Sequence, residues 1–302
     1  MSLQFLADGI LVGAMIGLGA IGVTLTYSIL GFANFVHGEF ITWGTYAALT
    51  LTSGIGLLVG QDMAPLGPFS IGWPVLVAGL IAMVLTGLLA LLLDLIVFRR
   101  LRRHGNAIIM VMASFGASMA LRSLVEFTFT SEPAYFSREL QIAMPIGLGI
   151  RLTADQMLML GLTLVLVVAM QLLISRTQLG RAMRAVSENP ALAQVAGVDV
   201  AGVVRLTWMI GGALACAAGI MAGITVQIRP FMGFDLLLPL FSAAILGGIG
   251  SVPGAVIGGL IVGLGESLAV QLIGANYRAA AAFLLLIAVL LIKPTGLFGR
   301  RA

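Results

Sequence analysis

The chain has 302 residues, 60% hydrophobic and 9% charged, with a formal net charge of +4 and a mean hydropathy of +1.12. A soluble globular domain carries about 25% charge, so the composition describes a polytopic membrane protein with no length left for a sizeable soluble domain. The cations sit at the ends of apolar runs rather than in a stripe, which argues against nucleic acid as a partner. One cysteine, Cys216, excludes a disulfide within the chain, and two histidines, His37 and His104, exclude the usual clustered His/Cys metal sites.

A helical span needs about 20 apolar residues. Such runs lie at roughly 7–29, 38–59, 72–98, 106–127, 155–175, 203–227, 236–249, 253–273 and 278–293. The first has no basic segment before it, only Asp8, and reads as a retained span rather than a cleaved signal. The seventh is short and dense in glycine. It is either a full crossing or a broken, re-entrant piece, which a bilayer tolerates only where protein or a cavity covers the backbone. The expected fold is therefore all-α, with eight or nine transmembrane helices.

Between the first two runs stands Gly31-Phe32-Ala33-Asn34-Phe35-Val36-His37-Gly38-Glu39-Phe40. Asn34, His37 and Glu39 crowd between glycines. A helix broken inside a membrane exposes backbone groups that can hold a substrate; a plain corner with a satisfied histidine is the other reading. Ionisable groups within the runs are few, and each is a functional candidate by default. Asp94 has Arg99 and its neighbours nearby, and Arg122 and Glu126 stand one helical turn apart. Glu39 and Glu266 have no obvious local partner, and with Asn34 and His37 they are the candidate pathway residues.

The loop over 128–154 carries Glu132, Pro133, Arg138, Glu139, Pro145 and Arg151 around an apolar middle with Ile142 and Ile146. It exceeds a typical connection and reads either as a linker or as a landing surface for an external partner. The polar stretch 176–200 interrupts two apolar runs with Arg176, Arg181 and Arg184. Within it, Asn189 is a good N-cap, Pro190 suits the first helical position, and Gly197 is placed to end the helix in a left-handed turn. The two-turn helix over Ala191–Ala196 needs a surface to pack on, because alone in water it would not hold together. That surface is either the lipid headgroups or a partner.

Eleven of the sixteen cations fall on one side of a nine-span topology: Arg99, Arg100, Arg102, Arg103, Arg176, Arg181, Arg184, Arg205, Lys293, Arg300 and Arg301. The positive-inside rule makes that side cytoplasmic, with the N-terminus outside, the C-terminus inside and the 128–154 loop external. Thirty-nine glycines, many inside spans at Gly9-Gly13-Gly17, Gly254-Gly258 and Gly259-Gly263, let helix backbones approach closely in lipid.

Lys293 is the one lysine, and its surroundings do not match G-x-x-x-x-G-K-[ST]. The chain therefore has no phosphate-binding loop of that kind and no catalytic residues of its own. No metal-spaced carboxylate cluster appears.

At this point the motifs carry a family. Asn34-Phe35-Val36-His37-Gly38-Glu39-Phe40 with Gly44-Thr45-Tyr46, Ser187-Glu188-Asn189-Pro190 with Ala193 and Gly197, Leu246-Gly247-Gly248-Ile249-Gly250-Ser251 with Gly254, and Lys293-Pro294-Thr295-Gly296-Leu297-Phe298-Gly299 together resemble the LivH-type permease of bacterial branched-chain amino-acid ABC importers. The resemblance covers almost the whole chain. Thr45 departs from the alanine common there, and Lys293 from arginine. The resemblance implies an inner-membrane subunit that forms half of a pore beside a homologous LivM-type permease. Two cytoplasmic ATPase subunits would drive it and a periplasmic solute-binding protein would deliver the solute. ATP and magnesium would act at the ATPases, with no cofactor on this chain. It also implies that Glu188, Asn189, Pro190, Ala193 and Gly197 lie in the region that couples to the ATPase. The competing reading is a proton-coupled secondary transporter using Glu39 or Glu266, or a channel for a small polar solute such as urea.

Overall fold

A computed structural model describes residues 3–59, 67–102, 106–137, 141–147, 149–293 and 295–299. Arg103, His104, Arg138, Glu139, Pro294, Arg300 and Arg301, used above for charge and motif, lie outside the described residues. The helices are α1 (Gln4–Leu30), α2 (Val36–Val59) and α3 (Trp73–Leu93), which passes through a π-helical turn (Asp94–Phe98) into α4 (Arg99–Leu101). They continue with α5 (Ala107–Phe129), α6 (Ala154–Arg176), α7 (Gln178–Glu188), α8 (Pro190–Val195) and α9 (Val200–Thr225). The last three are α10 (Met232–Gly247), α11 (Val252–Leu272) and α12 (Arg278–Ile292). One addition to the all-α expectation is a small antiparallel hairpin, β1 (Met144–Gly147) with β2 (Ile150–Leu152).

Local chemistry sets the boundaries. Asn106, Asp199 and Ser251 each accept a first-turn N–H of the helix that follows. Thr153 and Gln156 form a reciprocal capping box at the start of α6.

Among the described residues, seven helical segments are long and apolar enough to cross a membrane: Gln4–Leu30, Trp73–Leu101, Ala107–Phe129, Ala154–Arg176, Val200–Thr225, Val252–Leu272 and Ala275–Ile292. α2 is not among them, because His37, Glu39, Thr42, Thr45, Thr50 and Thr52 dilute its apolar character. α10 is shorter.

These two are unusual in where they begin. His37 lies against Gly22 and reaches the carbonyl of Gly19, so α2 starts level with the middle of α1. The chain has turned back about 12 Å, at 1.5 Å per residue, from where α1 ended at Leu30. The seventh apolar run resolves in the same way. α10 opens at Met232 with Gly233 against Gly38 and Thr42, so it too begins inside the bundle and is the broken piece rather than a full crossing.

The contacts repeat with reversed direction. α2 packs on α3 and α5 as α10 packs on α11 and α12, and α3 packs on α9 as α11 packs on α1. α1 and α9 run antiparallel, with Gly22 near Gly211 and Gly19 near Ala218. The eight-residue step from the end of α1 to Gly38 recurs from the end of α9 to Gly233. This is the arrangement of an inverted repeat with two discontinuous helices.

Glycine permits the closest seams. A methyl at Gly13 would stand 2.7 Å from the Leu260 Cα and 2.9 Å from the Gly259 carbonyl, and Gly259 and Gly263 lie on the backbones of Gly17, Gly13 and Gly9. Gly254 and Gly258 turn the other way, onto Gly247 and Ala243 of α10. The two glycine stripes of α11 therefore serve two different neighbours. α1 and α9 are the most enclosed spans, while α12 is almost wholly exposed.

One face of the bundle carries Arg99, Arg100, Arg102 and the α7–α8 segment; the opposite face carries the hairpin. The hairpin is tied down: Gln4 donates to the Arg151 carbonyl at 3.0 Å and accepts its N–H at 2.9 Å. Ala134 and Ile228 form an isolated bridge, and Asp155 holds the hydroxyl and N–H of Ser70. Where described, the 128–154 loop is joined to the bundle at Ala134 and Arg151.

Candidate functional site

Two regions bring the sequence-predicted residues together, one on the arginine face and one at mid-depth, while Glu266 lies apart from both beside Arg278. On the arginine face, α6 ends at Arg176 and Thr177 starts a new helix, its hydroxyl accepting the Gly180 N–H. The α6–α7 elbow is closed by two contacts. Gly180 lies directly on the Ile174 backbone, and Arg184 donates to the Ile174 carbonyl. α7 buries Gly180, Met183 and Val186 and exposes Arg181, Arg184, Ser187 and Glu188. Sequence reasoning expected one helix here and missed this one. The signal was present in Leu179, Met183 and Val186, spaced to share one helical face.

The predicted short helix is α8. Asn189 accepts the Leu192 N–H at 3.0 Å and Pro190 takes the first position. At the other end Gly197 has φ +85°. Val198 donates to the Ala193 carbonyl and Gly197 to that of Gln194, the paired bonds of a Schellman ending. Ala193 is the buried residue of α8; Leu192 is 66% exposed and Val195 86%. The element is thus capped at both ends, anchored by one small side chain, and turned outward with its larger apolar groups.

At mid-depth the 31–40 segment turns back into the bundle between α1 and α2. Asn34 accepts the Val36 N–H, and the Phe35 N–H donates to the Ser114 hydroxyl of α5. His37 is fully buried, with Nε2 donating to the Gly19 carbonyl at 3.2 Å and Nδ1 without a partner. The Gly233 N–H donates to the Thr42 hydroxyl at 3.1 Å. The N-termini of α2 and α10 meet there through Gly38 and Gly233, so both positive helix ends converge inside the bundle.

Glu39 has no local partner, as expected from the sequence, but finds one on another helix. Its Oε1 receives Arg122 Nη2 at 2.7 Å, Arg122 Nε at 3.2 Å and Ser118 Oγ at 2.9 Å. The same guanidinium carbon stands 4.2 Å from the Phe234 ring centroid and 5.1 Å from that of Phe231. Arg122 therefore reaches across helices to Glu39 and Phe234 rather than pairing with Glu126 along its own helix. Glu266 likewise has a partner, Arg278 Nε at 2.7 Å. Asp94 pairs with Arg102 at 2.5 Å, as its neighbourhood suggested. Helical spacing reveals only partners on the same helix, so the two inter-helix pairs were invisible to it. Among the described residues no group of His, Cys, Asp or Glu is arranged to hold a metal.

The amino-acid sequence that forms this bundle has recognisable relatives. The family model described as the permease component of the branched-chain amino acid transport system matches residues 5–292. The chain belongs to that family. The high-affinity branched-chain amino acid transport system permease protein LivH of Escherichia coli K12 is 32% identical over 304 residues, covering 99% of this chain and 96% of that protein. BraD of Pseudomonas aeruginosa, of the same description, is 34% identical over 303 residues with the same coverage. A probable LivH of Methanocaldococcus jannaschii is 28% identical over 98% of this chain and 92% of its own.

Proposed function

We propose that the chain is one transmembrane permease domain, residues 1–302, supplying half of the solute pathway of an ATP-binding cassette importer in a bacterial inner membrane. Segment 176–200 is its cytoplasmic coupling element and loop 128–154 its external surface. The solute is a branched-chain amino acid or a close relative, the other half is a LivM-type permease, and a periplasmic binding protein delivers the cargo. Two cytoplasmic ATPase subunits bind the ATP and magnesium.

The observation that carries this reading is α8. Its two caps hold a two-turn helix that is too short to be stable alone. Leu192 and Val195 stand exposed on the arginine face, where the positive-inside rule places the cytoplasm. Glu188, Asn189, Pro190, Ala193 and Gly197 set its entry, start, anchorage and exit. A motor that grips the exposed side moves α7 through the elbow, and α7 packs on α1 and α9, the two most enclosed spans. ATP shifts the equilibrium between inward- and outward-open forms by its differential affinity for them.

Asn34, His37 and Glu39 line the central break in this reading, and Glu266 the external approach. A proton-coupled transporter is less well supported, because Glu39 and Glu266 are each held by an arginine. The test is uptake of radiolabelled leucine in cells carrying the whole system. Gly197→Pro, or Glu188→Ala with Asn189→Ala, abolishes uptake and co-purification with the ATPases while leaving membrane insertion intact. Uptake and assembly that survive both changes overturn the coupling role.

A further inference from the structure

A cavity of about 610 Å³ lies between the first half of α1, α6, the end of α9, the starts of α10 and α12, and α11. It runs from Asp8, one turn inside the hairpin-side end of α1, to Met15, near the middle of that helix. At 1.5 Å per residue that depth is about 10 Å, against about 15 Å of hydrocarbon in one leaflet. The α6 lining, from Gln156 to Thr163, covers the same depth. α6 and the span that contains α12 are the least enclosed of the seven spans. Both line the cavity and they scarcely touch each other, so it is least closed on the side that faces lipid.

Its two ends differ in chemistry. The inner end is apolar, with Leu11, Met15, Met159, Leu160 and Leu236. The Thr163 hydroxyl at that depth is spent on Met221 Sδ at 3.3 Å. A wall of this kind takes an apolar guest rather than a hydrated one. The outer end carries ion pairs, Arg278 with Glu266 at 2.7 Å and Arg229 with Asp235 at 3.7 Å. Arg229, Asp235 and Arg278 are each half exposed, so all three can meet a second partner. With Asp8, three carboxylates face two guanidiniums. Guanidiniums fork onto phosphate oxygens. The surplus carboxylate disfavours a ligand of net negative charge and favours one that also bears an amine.

We propose that this cavity is a site for an amine-bearing phospholipid of the hairpin-side leaflet, of the phosphatidylethanolamine class. One acyl chain fills the apolar inner end, Arg229 and Arg278 hold the phosphodiester, and Asp8 and Asp235 hold the ammonium. α6 then rests on lipid as well as on protein. The occupant is a resident of the bilayer, distinct from the transported solute.

The full-length chain, purified in mild detergent, is mixed with equal amounts of dioleoyl phosphatidylethanolamine and dioleoyl phosphatidylglycerol. The first lipid retained is counted by native mass spectrometry. Phosphatidylethanolamine is expected there with a preference of about tenfold or more, the worth of one charge-assisted hydrogen bond. Asp235→Asn, which alters an exposed pair, is expected to remove that preference. Leu160→Trp fills the inner end and is expected to remove the first lipid altogether. Gly161→Val, with nothing within 4 Å of an added Cβ, is expected to keep it. Equal retention of the two lipids by wild type overturns the proposal, as does an unchanged preference in folded Asp235→Asn or unchanged retention in folded Leu160→Trp. The asparagine variant decides the matter if the tryptophan variant fails to fold. Glycerophosphoethanolamine, the headgroup without its chains, is expected not to compete. Full displacement by it overturns the proposal and assigns the cavity to a soluble phosphate ester. Displacement by free leucine overturns it in favour of a solute.

Discussion

Glu39 on α2 and Arg122 on α5 share two hydrogen bonds to one carboxylate oxygen, with Phe234 of α10 stacked on the guanidinium. Three helices from both halves of the chain thus meet at one charge pair in the bundle. Breaking such a pair from one side leaves a buried charge and costs about 3–5 kcal/mol, whereas replacing both partners together is often near neutral. Arg122→Ala is expected to lower the melting temperature in detergent markedly. Arg122→Met with Glu39→Gln is expected to recover most of it. A double variant as unstable as the single one would show that the pair does not act as a unit.

The α1–α11 seam is set by backbone contact. Gly13→Val forces α1 off Leu260, and overpacking of this kind costs about 1–3 kcal/mol. Gly161 on α6 has nothing within 4 Å of an added Cβ, so Gly161→Val is the matched control. Thermal unfolding of the two variants is expected to differ in that direction, with the control near wild type.

Leu192→Asp and Val195→Asp change only the outward side of α8. Both are expected to leave expression and membrane insertion unchanged and to remove leucine uptake and ATPase co-purification together. Retention of both activities would mean that the exposed side of α8 meets only solvent.

Cys216 is the one cysteine and is fully buried, so the natural chain is expected to be silent to membrane-impermeant maleimide. Ile146→Cys, on the exposed hairpin, is expected to label in intact cells. Leu192→Cys is expected to label only after permeabilisation. The reverse pattern would invert the assigned orientation.

Hydropathy and caps carry information along one chain segment, and that information is legible in the residues themselves. Span positions, the Asn189 cap, the Gly197 exit and the Asp94 pairing with a nearby arginine are all of this local kind. Relations between distant segments are not legible. Glu39 finds Arg122, Glu266 finds Arg278 across a turn and a new helix, and α2 doubles back beside α1, because tertiary packing decides each. The inverted halves are hidden for a similar reason, since their kinship lies in direction and contact rather than in shared residues. α7 is a different case: its apolar spacing is present in the residues, but the caps of its shorter neighbour are the stronger local signal and mask it.

Gly38 and Gly233 touch where α2 and α10 begin, and the segments leading into them arrive from opposite faces. One approach therefore borders the arginine side and the other the hairpin side, with no side chain between them. The two helix starts meet backbone to backbone, so a side chain at either position would drive the half that enters from one face away from the half that enters from the other.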